Sequence, residues 1–351
     1  MAQNVAAAPA PQLRNEPASA SPSPRQPQPH NHRHTYGALD LGTNNCRLLI
    51  ARPTADGFTV IDAFSRIVRL GENMSQTGKL SDESMDRAVA ALSVCADKLR
   101  RRNVSLSRSV ATEACRRAAN GRKFVERVRK ETGIALEIIE PAEEARLAML
   151  GCHKLLEPGD GPALIFDIGG GSTELVLIDQ ISGTPQIRSW WSAPWGVVSL
   201  TESEGREAIE GKDRVRAYER MRERVRRSFD QFEAMLPRDR KDIRLLGTSG
   251  TVTTLASVHL ALPSYDRKAV DGLQVSSESM REISCMIAEM DYHGRSALPC
   301  IGPERADLVV AGCAILEAIL EIWPSKTLGV ADRGIREGIL RSLMARDGYQ
   351  L

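Results

Sequence analysis

The stretch IFDIGGGSTELVLI, residues 165–178, breaks an apolar run at three successive glycines and then resumes it, the pattern of a strand, a tight turn and a second strand. Gly169, Gly170 and Gly171 admit positive φ and carry no Cβ, so backbone N–H groups there can converge on an anion. Asp167 ends the first strand, where it can face the same cleft. A bare triple glycine fits an ordinary hairpin equally well. A second copy shifts the balance. Residues 38–51 read ALDLGTNNCRLLIA and, laid on the first stretch without a gap, put Asp40 on Asp167, Gly42 on Gly169 and Arg47 on Glu174. The repeat suggests two related domains, each offering an Asp and an N–H-lined hairpin, with an anionic ligand between them. Neither copy is followed by Gly-Lys-Ser/Thr and neither has GxGxxG spacing, which excludes Walker and dinucleotide loops.

At 351 residues the chain is long for one core, and two domains are expected. Its 47 basic and 45 acidic residues nearly cancel, so the formal charge of +2 identifies no partner and gives no sign of sequence-specific nucleic-acid binding. Seven cysteines without a CxxC pair read as free thiols in a reducing cytosol. Cys46, in the first loop, has no adjacent His to activate it and reads as a small tolerated side chain. No apolar run is long enough to cross a bilayer, and the N-terminus lacks a secretory pattern, which points to a cytoplasmic protein. Residues 1–35 are rich in Pro, Ala, Ser and Gln and are expected to be a disordered tail. Its closing His30, His32 and His34 have no rigid frame to hold a metal.

Further along, Ser81 caps a helix with Asp82 and Glu83 in its first turn. ATEACRRAANG places Arg116 and Arg117 just after a short strand, and Glu140-Pro141 opens a helix with Glu143 and Glu144 in its first turn. WWSAPWGVVSLTE is read as leading into a long polar helical region to about Leu236. Its Arg214, Arg216, Arg220, Arg224 and Arg227 read as a solvated face that could also steer a polyanion. IRLLGTSGTVTTLAS runs a strand through Gly247, Thr248, Ser249 and Gly250 into a helix, a third candidate phosphate contact. ERADLVVAGCAILEAILEIW is apolar on nearly all sides and therefore central.

With these residues in place the chain resembles the exopolyphosphatase and guanosine pentaphosphate phosphatase family, a branch of the actin-like ATPase superfamily. The resemblance runs from about Tyr36 to the C-terminus and rests on DLGTNNCRLLI, ATEACRRAAN, EEARLAMLG, FDIGGGSTELVLI, WGVVSL, GTSGT, ERADLVVAGCAIL and GIREGIL. It implies an α/β fold of two actin-like (ribonuclease H-like) domains flanking a phosphate-binding cleft. These would span residues 36–150 and 155–332, with a C-terminal helix in 333–351 packing back on the first, and it leaves a homodimer open. The resemblance also implies that the first loop (Gly42, Thr43, Asn44, Asn45, Arg47), the second (Gly169, Gly170, Gly171, Ser172, Thr173) and the third (Gly247, Thr248, Ser249, Gly250, Thr251) bind phosphate. Asp40, Asp167 and Glu174 match acidic positions associated with Mg²⁺, Glu144 the catalytic glutamate and Arg116 an arginine that contacts the phosphate chain. Thr43, Asn45 and Cys46 depart from the usual Ser-Asn-Ser loop, and Glu140-Pro141 stands where many members have Ser-Gly. The implied activity is Mg²⁺-dependent release of a terminal phosphate from inorganic polyphosphate, guanosine pentaphosphate or both, in a short form without extra C-terminal domains. An actin-like kinase and a non-catalytic alarmone or polyphosphate sensor are the alternatives; the sensor would not need Glu144.

Overall fold

Two sheets are built to one plan. In the first, β1 (Tyr36–Leu41), β2 (Asn45–Thr54), β3 (Gly57–Ile67), β4 (Leu106–Ala111) and β5 (Leu136–Ile138) lie in the order β3-β2-β1-β4-β5. In the second, β6 (Pro162–Ile168), β7 (Thr173–Ile181), β8 (Thr184–Ala193), β9 (Arg244–Thr248), β10 (Gln274–Ser276) and β11 (Thr327–Ala331) lie in the order β10-β11-β9-β6-β7-β8. Setting the edge strand β10 aside, the two orders coincide. In each sheet the first three strands run antiparallel as hairpins and the next two join parallel, while the extra edge strand β10 pairs antiparallel with β11. The central strands β1 and β6 are covered on both faces, which is why they read as unbroken apolar runs. In both, the more exposed position near the C-terminal end is the aspartate, Asp40 or Asp167.

This computed structural model describes residues 34–349 apart from 158, 160–161, 182–183 and 238–243. The described residues form one compact unit. The tail expected over residues 1–35 lies outside the described residues as far as residue 33. Thr35 departs from that expectation: it is buried, and its carbonyl accepts from Ser105 N at 2.8 Å, tying the chain down one residue before β1.

Two helices link the lobes. Pro141–Cys152 runs from β5 of the first lobe towards β6 of the second, and Ile335–Arg346 returns from β11 to pack Ile339, Leu340, Leu343 and Met344 against Tyr36, Ala38, Leu49 and Leu147. They cross where each has a glycine. A Cβ on Gly151 would fall 2.0 Å from Gly334 O, and one on Gly338 would fall 2.0 Å from Leu147 O. Backbone cannot yield at such a distance, so these glycines set how closely the crossing packs.

The second lobe is organised around the helix Val309–Ile322, of which the apolar positions are all buried. The polar region read as one long helix is instead four, Val197–Glu204, Arg206–Glu210, Arg214–Ser228 and Asp230–Glu233. Gly205, at φ 81°, and Gly211 interrupt it. The preceding SWWSA belongs to β8, paired antiparallel with β7, and not to a lead-in to helix. Ser81 caps Asp82–Arg101 as its sequence suggested, accepting from Ser84 N at 3.2 Å.

Gly151→Ala is expected to lower folding stability by about 1–3 kcal/mol, the scale of overpacking. Gly133→Ala, where φ is +77° but the added methyl meets open space, carries only the backbone strain, about 1 kcal/mol. Denaturant midpoints check this; an unshifted midpoint for Gly151→Ala would mean that the crossing is loose.

Candidate active site

The two hairpin turns are geometric copies. Gly42 N donates to Asn45 O and Gly169 N to Ser172 O, both at 2.9 Å. Asp40 lies opposite Arg47 across β1 and β2, as Asp167 lies opposite Glu174 across β6 and β7. The carbonyls of both turns are engaged from behind: Asn44 O accepts from Val68 N and Arg69 N, and Gly170 O from Val198 N at 2.8 Å. The Asn44, Gly170 and Gly171 N–H groups have no acceptor among the described residues, which leaves them for an anion.

The reason for the glycines differs from the sequence reading. None of Gly42, Gly169, Gly170 and Gly171 has positive φ. What they permit is close approach. A Cβ on Gly170 would lie 2.9 Å from Thr43 Cβ and 3.1 Å from Asn44 N, and one on Gly171 would lie 2.8 Å from Thr43 Oγ1 and 2.9 Å from Glu113 Cγ. The turns of opposite lobes therefore meet at the cleft. The lobes are also joined by an ion pair, Arg69 to Asp307 at 2.8 Å, and by a hydrogen bond from Asn73 N to Glu202 Oε1 at 2.6 Å.

Around the cleft stand Asp40, Glu113, Glu144, Asp167 and Glu174, with Arg47 and Arg305 as cations. From the predicted loops, Gly42, Thr43, Asn44, Asn45, Gly169, Gly170, Gly171, Ser172, Ser249, Gly250 and Thr251 line it. Three predicted loop residues do not. Thr173 is buried and donates to Trp195 O at 2.7 Å. Gly247 makes room for Phe166, whose ring would lie 2.5 Å from an added Cβ. Thr248 donates to Arg333 O at 2.6 Å and faces a hollow behind the cleft.

Glu144 and Glu143 face different surroundings. Glu144 is buried at the cleft and accepts from Arg116 Nη1 at 3.2 Å. Arg116 stands behind the cleft wall, its other contacts being Ile139 O at 2.6 Å and Glu113 Oε2 at 2.5 Å. Burial, and then the charge of Glu174, hold the Glu144 carboxyl well above its usual range. Glu143 points to Arg146 and Arg108, with contacts of 2.7 and 2.6 Å, and these hold its pKa down at about 2. Glu113 and Arg305 were missed. Glu113 sits in the quoted ATEACRR motif beside Arg116, and Arg305, bonded to Thr254 Oγ1 at 2.9 Å, in ERADLVV, which had been read only as core.

Burial also pushes Asp167 up to about 8, and Glu174 up to about 7 against the opposing hydrogen bonds of Ser172 and Ser192. Asp40 is raised by burial against the pull of Arg47 and Arg336, and its Oδ1 is buried without a hydrogen-bond partner. Asp40, Asp167 and Glu174 are not gathered into a set that could enclose an ion alone; among the described residues no such cluster of three occurs. Glu174 Oε1 is already taken by Ser172 and Ser192 at 2.8 and 2.9 Å. The hard oxygen donors of these carboxylates do suit Mg²⁺, which keeps most of its waters and binds through one or two carboxylates together with substrate phosphates.

Residues 49–347 match the Ppx/GppA phosphatase family. The chain belongs to it. Over 320 residues it is 31% identical to Exopolyphosphatase 2 of Mycobacterium tuberculosis, which covers 87% of this chain and 97% of that protein. Among solved structures it is similar to the Aquifex aeolicus Ppx/GppA family member (TM-score 0.73, 29% identity, 90% of this chain and 99% of that one). An exopolyphosphatase from Cytophaga hutchinsonii ATCC 33406 is similar as well (TM-score 0.78, 26% identity, 90% and 99%). The two-sheet architecture is thus the two-domain, actin-like fold of Ppx/GppA phosphatases. Among the described residues no helix is long and apolar enough to cross a membrane.

The raised acids give a signed expectation. Unfolded carboxyls titrate near ~4, so the penalty of ionising Asp167 and Glu174 in the fold is absent below that pH and grows as pH rises through about 7 and 8. In metal-free buffer, Asp167→Asn should melt above the wild type at pH 9 and draw level with it at pH 4. Parallel melting curves across that range would contradict the assignment.

Proposed function

We propose that this Ppx/GppA phosphatase is a Mg²⁺-dependent hydrolase that releases the terminal phosphate of inorganic polyphosphate, of guanosine pentaphosphate or of both. The observation that carries the reading is Glu144, buried at the cleft beside N–H groups of two phosphate-type turns and held by Arg116. Exopolyphosphatase names among its relatives favour polyphosphate.

Phosphoryl transfer to water needs the attacking and leaving oxygens in line, their charge offset, and one group to orient or deprotonate the water. The Asn44, Gly170 and Gly171 N–H groups hold the chain, and Ser249 to Thr251 at a helix N-terminus extend the grip. Asp40 and Asp167, with Glu174 behind, would hold Mg²⁺, which supplies charge neutralisation on the phosphate oxygens when bound. Glu144 takes the water's proton. Burial raises its pKa, which makes the carboxylate a stronger base than a free glutamate's. Arg116, between Glu113 and Glu144, keeps the carboxylate aimed. The arginines of the polar helix do not extend the grip: Arg220 and Arg224 pair with Glu204 at 2.9 and 3.1 Å, and Arg227 pairs with Glu223 at 2.7 Å.

Phosphate release from long-chain polyphosphate, guanosine pentaphosphate and ATP, assayed in parallel, tests the reading. Turnover of either of the first two is expected, and binding without turnover would make the protein a sensor. Glu144→Gln should lower kcat by ~10²–10⁴, the usual worth of a general base, with little change in affinity. Glu143→Gln should change it at most a few-fold, since that carboxylate is occupied by Arg108 and Arg146. The reverse ranking would move the base to Glu143.

Chelation should abolish turnover. Mg²⁺ should also raise the melting temperature, more at pH 8 than at pH 6, because its ligands must give up protons to bind it. An equal rise at both pH values, or none, would place the ion elsewhere.

A further inference from the structure

Behind the cleft floor a smaller hollow continues from it. The two share Asp40, Arg47, Asp167, Ser249 and Ile335, and the hollow extends between Thr248 and the 332–336 turn that starts the C-terminal helix. Of the three arginines that line it, Arg333 is paired with Asp271, and the other two are Arg47 from β2 and Arg336 from the first turn of Ile335–Arg346. Neither makes a hydrogen bond or ion pair with any described residue.

That arrangement is unfavourable as it stands. Burial, and next the like charge of Arg336, both push the Arg47 pKa down. Arg336 sits at a helix N-terminus, where the helix dipole opposes a cation. The neighbouring acids are already engaged: Asp332 and Glu337 with Arg267, each at 3.1 Å, and Asp271 with Arg333 at 2.8 Å. Asp40 and Asp167 remain, and both lie beyond ion-pair reach of the two guanidinium groups. Two cations and two carboxylates therefore surround a space that none of them fills. Asp40, which lines the hollow, has its Oδ1 buried and without a donor.

A ligand that satisfies all of these groups must accept from two guanidiniums and also donate to a carboxylate. Hydrogen phosphate does both, through its unprotonated oxygens and its P–OH. An interior unit of a polyphosphate chain has no P–OH, and sulfate has none at neutral pH. We propose that this hollow is an orthophosphate subsite, with Arg47 and Arg336 donating to the ion and its P–OH donating to Asp40 Oδ1. The source of the ion, cleavage at Glu144, rests on the hydrolase reading; the binding does not. A product that moves rearward frees the catalytic position while the shortened chain stays on the glycine turns.

Calorimetric titration of the full chain with inorganic phosphate, then with sulfate, in buffer without Mg²⁺, which would compete for Asp40, tests the subsite without requiring turnover. The wild type should bind phosphate saturably and several-fold more tightly than sulfate. Arg336→Gln should weaken phosphate about tenfold or more, the scale of one charge-assisted hydrogen bond, while Arg336→Lys retains part of the affinity. Phosphate affinity unchanged in Arg336→Gln would overturn the subsite and place the ion on the glycine turns. If that variant does not fold, equal wild-type affinity for phosphate and sulfate overturns it instead.

Discussion

The site depends on how closely two turns from opposite lobes approach each other. Gly170 and Gly171 lie against Thr43, Asn44 and Glu113 at distances that leave no room for a Cβ, and Gly196 packs equally tightly on Gly170 from behind. Only at that spacing can N–H groups of both lobes reach one phosphate chain. The same principle recurs at the hinge, where Gly151 and Gly338 let the linking helices cross in backbone contact. Glycine thus sets the geometry twice, through its missing side chain rather than through unusual φ.

The second constraint is charge. Asp40, Glu144, Asp167 and Glu174 stand together in a largely desolvated cleft, and burial raises all four. Arg47 and Arg116 offset only part of that burden. A fold that keeps so much negative potential beside empty N–H donors is poised for a cation and an anion together. A metal–phosphate substrate has that composition, and its entry would convert the electrostatic strain into binding.

The repeat was the legible part. Asp, Gly and the strand-pairing positions recur at one spacing, and the sheets repeat strand for strand because the same hairpin begins each. Periodicity also found the Asp82–Arg101 and Val309–Ile322 helices. Less legible was anything that depends on partners distant in sequence. The positive φ expected of the turn glycines is absent, since their neighbours across the cleft are what exclude a side chain. Gly247 reads like a phosphate-loop glycine and instead accommodates Phe166. Glu113, Arg305 and Arg336 are single charges in segments that read as the end of a short strand, a core helix and a terminal helix, and only the fold brings them to the cleft or its rear. The β8 strand was missed because SWWSA runs straight into a Pro-Trp-Gly turn and a helix, which drew it into the wrong element.

The central claim is that water, activated at Glu144, attacks the terminal phosphorus of a chain held between the two turns. Single-turnover reaction with polyphosphate in ¹⁸O-enriched water tests it most directly. The account predicts one ¹⁸O in the released orthophosphate and none in the remaining chain. Label in the chain end, or release only when a hydroxylated acceptor is added and without incorporation of label, would contradict it.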